Sequence, residues 1–368
     1  MDKKNIQLFK VNVSDSSIDL TVDTLRSGFI ATGPKTDLFE NKFGDFIGNK
    51  NVVAVNCGSS ALALALYLSD IKNSDEVICS PLTCAAVTES VFQTKAKIVW
   101  ADIDIKTGNI DPEDIERKIN KNTKAIVYSH WVGRLADINR INQIAKNHGL
   151  ITIEDAASAI GGEYDSMRVG RHSDFTCFSF QAVKQITTGD GGMLVCKDEA
   201  TKDRAILLRN HGNDKKAKRS PTTLGFDVLE AGWKYQMNDI AASIGLPQID
   251  NLEDIIKQAR NNMDVYNKEL AGVSNLVILT DYPLANSNPW VYTVLVENRD
   301  AFVELMKENG IGCSVVHMRC DELSIFKEFK TDLPKLDYFY ERMINIPVGW
   351  WLKEKDIKDI CEIIKQGW

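Results

Sequence analysis

The chain has 368 residues, 44% hydrophobic and 26% charged, with a formal net charge of −7. That composition excludes a disordered, collagenous or fibrous chain, and at ~100–200 residues per domain the length implies two domains, or one large domain with an appendage. The acidic balance argues against a nucleic-acid partner, since the one dense basic run, Lys215, Lys216, Lys218 and Arg219, reads as a solvated loop.

In chain order, Val52 to Val55 reads as a short strand, and Gly58-Ser59-Ser60 opens an apolar helix through Leu66. Strands are expected at Glu76 to Pro81, Lys97 to Asp104, Lys124 to Ser129 and Leu150 to Asp155. Between them, Asp111 is an N-cap with Pro112 at the first helical position, and Ile138 to Asn147 is a helix. Two more strands, Phe175 to Phe180 and Met193 to Cys196, flank a turn. Short apolar strands alternating with amphipathic helices predict an α/β fold with a mostly parallel sheet covered on both faces. Ligands of such sheets bind at the carboxyl ends of strands. Asn56, Ser80, Asp104, His130 and Asp155 are therefore candidates. Beyond about residue 250 the pattern becomes α+β: a long helix from Asn251 to Leu270, a strand Trp290 to Val296, a helix near Asp300 to Glu308, a strand Gly312 to His317 and a last helix Glu354 to Gln366. We expect a large domain over residues 1–246, with an N-terminal arm, and a small domain over residues 247–368.

No window approaches ~18 uninterrupted apolar residues, so no membrane span is expected. The start Met1 to Asn5 leads into no apolar stretch of a signal peptide. Cysteines 57, 79, 84, 177, 196, 313, 320 and 361 are scattered without CxxC spacing, which fits reduced thiols in a cytoplasmic protein. The five histidines are dispersed, so no metal site is expected. His211 reads as a core histidine.

The densest chemical signal is the turn after Phe180. It carries Lys184 between Ser179 and Thr187-Thr188, followed by Gly189, Gly191 and Gly192. A lysine enclosed by apolar strands loses basicity and becomes a nucleophilic amine, as Schiff-base chemistry requires. Asp155 ends a strand and precedes small residues, which suits an acid facing a pyridinium nitrogen; the plainer reading is a helix N-cap. The helix start at Gly58-Ser59-Ser60 suits a phosphate, or again an ordinary cap. Phosphate site, acid and lysine in that order make up the parts list of a pyridoxal 5′-phosphate (PLP) enzyme.

Nearly end to end, the chain resembles the DegT/DnrJ/EryC1/StrS sugar aminotransferases, which have the fold-type I PLP aminotransferase fold with a seven-stranded-type sheet. The resemblance is carried by Ser27 to Pro34 with Phe39-Glu40, by Asn56 to Leu62, by Ile153-Glu154-Asp155-Ala156-Ala157, by Ser179 to Lys184 with Thr187 to Gly192, by Arg209-Asn210-His211-Gly212, and by Gly232 to Ala242. It implies that Lys184 holds PLP, that Asp155 binds the pyridine nitrogen, and that Gly58, Ser59, Ser60 and Ser179 hold the phosphate. It also implies a homodimer in which Lys234 reaches the neighbouring subunit's phosphate. Departures fall near the substrate. Ser158 replaces a usual glutamine, and Cys84 stands where many members stack an aromatic on the ring. Lys234 and Gln236 replace Asn and Arg, and His317-Met318-Arg319 replaces a Tyr-Pro-x-His-like stretch. Arg134, His317 and Arg319 are candidate substrate contacts, arginine being the natural partner of a carboxylate or phosphate.

The expected activity is amino transfer from an amino acid, L-glutamate, to a nucleotide-linked keto-deoxysugar, for a surface glycan or glycosylated metabolite. A smaller acceptor, such as an oxidised sugar acid or phosphorylated ketose, is the alternative. Related sugar dehydratases carry histidine in place of Lys184. A nicotinamide dehydrogenase would want G-x-G-x-x-G after the first strand, which Asn56 to Ala61 does not supply. A non-catalytic binding protein on the same fold is the remaining class.

Overall fold

The computed structural model describes residues 5–214 and 228–368. The basic run at 215–219 lies outside the described residues.

Every residue of Val52–Val55 is buried, which a strand tolerates only in a sheet covered on both faces. The strands before the small domain are β1 (Val52–Val55), β2 (Glu76–Cys79), β3 (Lys97–Trp100), β4 (Thr123–Ser129), β5 (Ile151–Asp155), β6 (Glu163–Tyr164), β7 (Met167–Arg168), β8 (Phe175–Ser179) and β9 (Gly192–Cys196). Seven of them form one sheet in the order β1-β9-β8-β5-β4-β2-β3. From β8 to β3 all neighbours are parallel, while β9 runs antiparallel to both β1 and β8. The sheet is therefore mostly parallel, as expected. Alternation along β1 sends Val53 and Val55 into one apolar layer and Val52 and Ala54 into the other.

The second half adds β10 (Leu276–Ile278), β11 (Ala285–Asn286), β12 (Tyr292–Val296) and β13 (Met343–Ile346). β10, β12 and β13 form an antiparallel sheet. Its core of Tyr266, Tyr292, Phe302 and Ile344 is shared with helices Leu252–Glu269, Arg299–Glu308 and Glu354–Lys365. β11 pairs with β6 of the first half.

The expected strand at Gly312 to His317 is absent. Within it only Ser314 forms a bridge, to Asn345, while Ile311 just before it bridges Ile6 and the Gly312 N–H donates to the Ile6 carbonyl. It is shared between the N-terminal arm and β13, so no ladder propagates. His211 is exposed with φ 56°, so it is not a core residue. We propose a large domain through residue 246 and a small one beyond; helix Asp239–Asp250 runs across that join.

Two family-like motifs clamp the edge of the sheet. Glu40 accepts the N–H of Ala54 at 2.7 Å and pairs with Arg209, whose guanidinium also donates to the Ala54 carbonyl at 2.6 Å. Helix Pro34–Ile47 packs Phe39 and Phe43 edge-on against Phe180, at 5.0 and 5.2 Å between centroids, and so supports the strand that leads to Lys184.

That helix starts at Gly33 and makes no side-chain cap of its own. The buried Asp239 caps it instead, accepting N–H groups of Gly33 (2.8 Å), Lys35 (3.1 Å) and Thr36 (2.9 Å) and the Thr36 hydroxyl (2.7 Å). Asp239→Ala strands these donors and should cost on the order of 3 kcal/mol. Chemical denaturation checks this: the midpoint should fall clearly, and an unchanged midpoint would mean that water replaces the carboxylate without loss.

Candidate active site

The carboxyl ends of β2, β4, β5 and β8 converge on a cavity of about 320 Å³. Gly58, Ser59, Cys84, His130, Asp155, Ser158, Ser179, Lys184, Trp290 and His317 are among its lining residues. The structure thus brings together most of the residues singled out by sequence, from segments far apart in the chain.

Lys184 stands on the turn between β8 and β9. The turn is pinned by Lys184 N–H to the Gln181 carbonyl (2.9 Å) and by Phe180 N–H to the Gly191 carbonyl (2.8 Å). The lysine amine donates to Ser158 Oγ at 2.9 Å. Burial lowers its pKa to about 8, with Asp155 and Cys84 working the other way.

Asp155 ends β5 and is buried. Its carboxylate accepts the Ser129 hydroxyl at 2.9 Å and the Ala157 N–H at 3.1 Å. A turn follows it rather than a helix, so it caps no helix. Burial raises its pKa, against the opposing Ala157 N–H, Ser129 hydroxyl and Lys184 charge. A cation placed against it would be favoured by the same low dielectric.

Helix Gly58–Leu68 begins behind Cys57, which makes no side-chain cap. Its first N–H groups and the Ser59 and Ser179 side chains face the cavity end suited to an anion. Close approach there depends on glycine: a Cβ on Gly192 would meet the Cys57 carbonyl at 2.5 Å, and one on Gly58 would meet Ser179 Cβ at 3.0 Å. Ser60 is buried, donates to Asn56 Oδ1 at 2.7 Å and lies outside the cavity lining.

Cys84 lines the cavity, and burial pushes its thiol pKa up. His317 also lines it; burial, aided by the Lys184 charge, pushes the imidazole pKa down to about 4. Arg134 and Arg319 do not line it. Arg134 pairs with Asp281 at 2.6 Å, and Arg319 forks onto Asp321 with two bonds of 2.8 Å and reaches Asp337. Lys234 is exposed, bonds Gln236 at 2.7 Å and is absent from its own chain's cavity. Of the strand-end candidates, His130 and Asp155 line the cavity; Ser80 bonds the Leu82 N–H and Asp104 bonds the Tyr282 hydroxyl.

Sequence reading missed two features. His130 and Glu154 form a fully buried pair at 2.7 Å. The Ala136 N–H donates to His130 Nδ1 at 3.1 Å, so Nε2 carries the proton given to Glu154. Thr176 also donates to Glu154, at 2.8 Å. Burial would raise the Glu154 pKa, but the hydrogen bonds from His130 and Thr176 work against it and the carboxyl is lowered. The alternation of β5, which turns Glu154 away from Asp155's side, was the available signal. Trp290, read as a strand residue, instead precedes β12 and faces Lys184. Its position after Pro289 was the hint, because proline interrupts a strand.

Among the described residues, no group of three or more His, Cys, Asp or Glu is placed to hold a metal ion, and no helix is long and apolar enough to cross a membrane.

A buried lysine of lowered pKa and a buried carboxylate sharing a cavity with a helix start, at the carboxyl ends of a mostly parallel sheet, fit an enzyme of the fold-type I PLP class. Residues 13–365 match the DegT/DnrJ/EryC1/StrS aminotransferase family, and the chain belongs to it. It is similar to AtS13 of Actinomadura melliaura, with 37% identity and a TM-score of 0.96 covering all of both chains. It is also similar to the sugar aminotransferase CalS13 of Micromonospora echinospora, at 34% identity and TM-score 0.95, over 99% of this chain and 100% of that one. GDP-perosamine synthase of Vibrio cholerae is 31% identical over 93% of this chain and 94% of its own. The chain is a sugar aminotransferase by family, and its cofactor is PLP.

The cavity fits that cofactor. The helix start at Gly58-Ser59 and the buried Asp155 line the same cavity, with the free amine of Lys184 between the Ser158 hydroxyl and the Trp290 ring. A lysine lowered to about 8 is uncharged above that pH, whereas the ordinary value is 10.5. The rate of PLP capture by the cofactor-free protein should therefore rise through about pH 8 and then level. A rise that continues through about pH 10 would mean an ordinary, solvated lysine.

Proposed function

We propose that this chain transfers the amino group of L-glutamate to a nucleotide-linked keto-deoxysugar, in the synthesis of a surface glycan or glycosylated metabolite. The observation that carries it is the desolvated Lys184 amine facing the same cavity as Asp155. Lys184 would hold the cofactor through its amine, and Asp155 would bind the pyridine nitrogen and keep it protonated. Gly58, Ser59 and Ser179 would hold the phosphate, with Ser60 fixing the loop beneath through Asn56. Ser158 would orient the lysine amine. Bound PLP supplies an electron sink for the carbanion at the substrate Cα. The Lys184 amine would take the proton from the substrate Cα and give it back one carbon away, a general acid/base role suited to an amine of lowered pKa. Apolar Leu62, Val87 and Val132 line the cavity and exclude water from that transfer.

A nucleotide-linked acceptor is favoured over a small phosphorylated or carboxylated one by the likeness to GDP-perosamine synthase, 31% identical over 93% of this chain. The test compares kcat/KM for a nucleotide-linked 4-keto sugar, the same sugar unlinked and a ketose phosphate; preference for either small acceptor would overturn the reading.

We further propose a cytoplasmic homodimer with shared sites. Eight unpaired thiols suit a reducing compartment. Phe29 is 73% exposed and Leu229 is 90% exposed, with Leu25, Ile30 and Leu38 also exposed, as an uncovered interface would be. Lys234, exposed and outside its own cavity lining, would meet the partner's cofactor phosphate as a point charge.

Asp155→Asn keeps the shape but not the charge, and should lower turnover by orders of magnitude, on the order of 10²-fold or more. A near-normal rate would remove the ring-nitrogen role. Complementation tests sharing. Lys184→Ala and Lys234→Ala proteins, each nearly inactive, are mixed under subunit exchange. If Lys234 acts across the interface, one site in each mixed dimer escapes both lesions and activity returns toward half of normal. If it acts within its own chain, no activity returns.

A further inference from the structure

The amine of Lys184 rests on an aromatic face. Its Nζ lies 3.6 Å from the centre of the Trp290 ring and 2.9 Å from Ser158 Oγ. The indole is itself immobilised from several directions. Its Nε1–H donates to the carbonyl of Val183, the residue before the lysine, at 2.7 Å. Its backbone N–H donates to the Val132 carbonyl at 2.8 Å. Phe9 of the N-terminal arm stacks on it at 4.7 Å and 25°, and the His317 ring lies 6.2 Å away at 29°. One side chain therefore holds both the backbone beside the lysine and the lysine's head.

We propose that Trp290 is a positioning residue for Lys184: its ring face docks the protonated amine whenever that amine is not bonded to the cofactor, with Phe9 as the buttress behind the ring. The proposal rests on the reading of Lys184 as the reactive amine. The physical reason is selective. The negative face of an aromatic ring attracts an ammonium but not a neutral amine, and does so more strongly when water is excluded. The lysine is thus held while it carries the proton and released as it gives the proton up. Ser158 offers one oxygen acceptor at the same place, so the amine has a defined direction as well as a defined position.

Other ionisable groups share the cavity. Asp155, Cys84, Cys57, Cys177, Asp190, His130 and His317 line it. Of these, Asp155 and Cys84 favour the charged lysine, and His317, with its pKa pushed down to about 4, adds no charge near neutral pH. Burial favours the neutral amine, and the ring face opposes burial. The sign of a mutational effect therefore separates this role from simple packing. Loss of the face at constant dryness lowers the lysine's midpoint, whereas a loosened wall admits water and raises it.

The experiment uses the full-length protein converted to its pyridoxamine form, in which Lys184 is free. Trace acetylation by acetic anhydride is followed at the Lys184 peptide by mass spectrometry from about pH 6 to about pH 11, giving the midpoint of its reactivity. Trp290→Leu should lower that midpoint by about one pH unit, and Trp290→Phe, which keeps a weaker face, by about half as much. A midpoint that is unchanged or raised in Trp290→Phe overturns the proposal, and that variant decides if Trp290→Leu does not fold. If wild-type protein does not take up cofactor at Lys184, the reading of Lys184 fails. The midpoint, measured on the bare chain, then still tests the contact with Trp290.

Discussion

A lysine amine is held out of water at the carboxyl edge of a mostly parallel sheet, and the site is organised around the cost of holding it there. Moving its pKa from 10.5 to about 8 corresponds to about 3 kcal/mol of lost preference for charge. That is the net loss after the surroundings have opposed burial. Asp155 contributes a negative charge, Ser158 an acceptor and Trp290 an aromatic face. Asp155 and Ser158 come from the end of β5 and Trp290 from the segment before β12, so the surroundings of the amine depend on the two halves of the chain meeting there. The clamp of Glu40 and Arg209 on Ala54, and the phenylalanines under Phe180, hold the sheet edge and the strand that leads to Lys184.

The same economy explains where the arginines went. Both candidate substrate arginines are consumed by carboxylates, Arg134 by Asp281 and Arg319 by Asp321 and Asp337. A free guanidinium in the cavity would repel the Lys184 ammonium and depress its pKa further. The cavity instead carries hydroxyls, thiols and aromatic rings, with its polarity concentrated at the helix start and at Asp155.

Much of this was legible in the sequence, because strands and turns carry local signals. Apolar runs such as Val52 to Val55, the Asp111-Pro112 helix start and the glycines after Lys184 each appear where they were expected. What was not legible depends on tertiary partners. Gly312 to His317 has strand composition, yet it is shared between Ile6 and Asn345 and forms no ladder. Arg134 and Arg319 look like ligand-binding arginines until their acidic partners, distant or across a turn, are seen. Trp290 looked like one more residue of an apolar strand, and only the fold sets its ring beneath the lysine. Cys84 lines the same cavity with a small thiol.

The central claim is that Lys184 is the residue that carries the cofactor. Borohydride reduction of the PLP-loaded protein, followed by digestion and mass mapping, tests it most directly. The account predicts a single stable pyridoxyl label on the peptide containing Lys184, with the yellow colour lost and the label absent from Lys184→Ala protein. A label on any other lysine, or an undiminished label in Lys184→Ala, would contradict it.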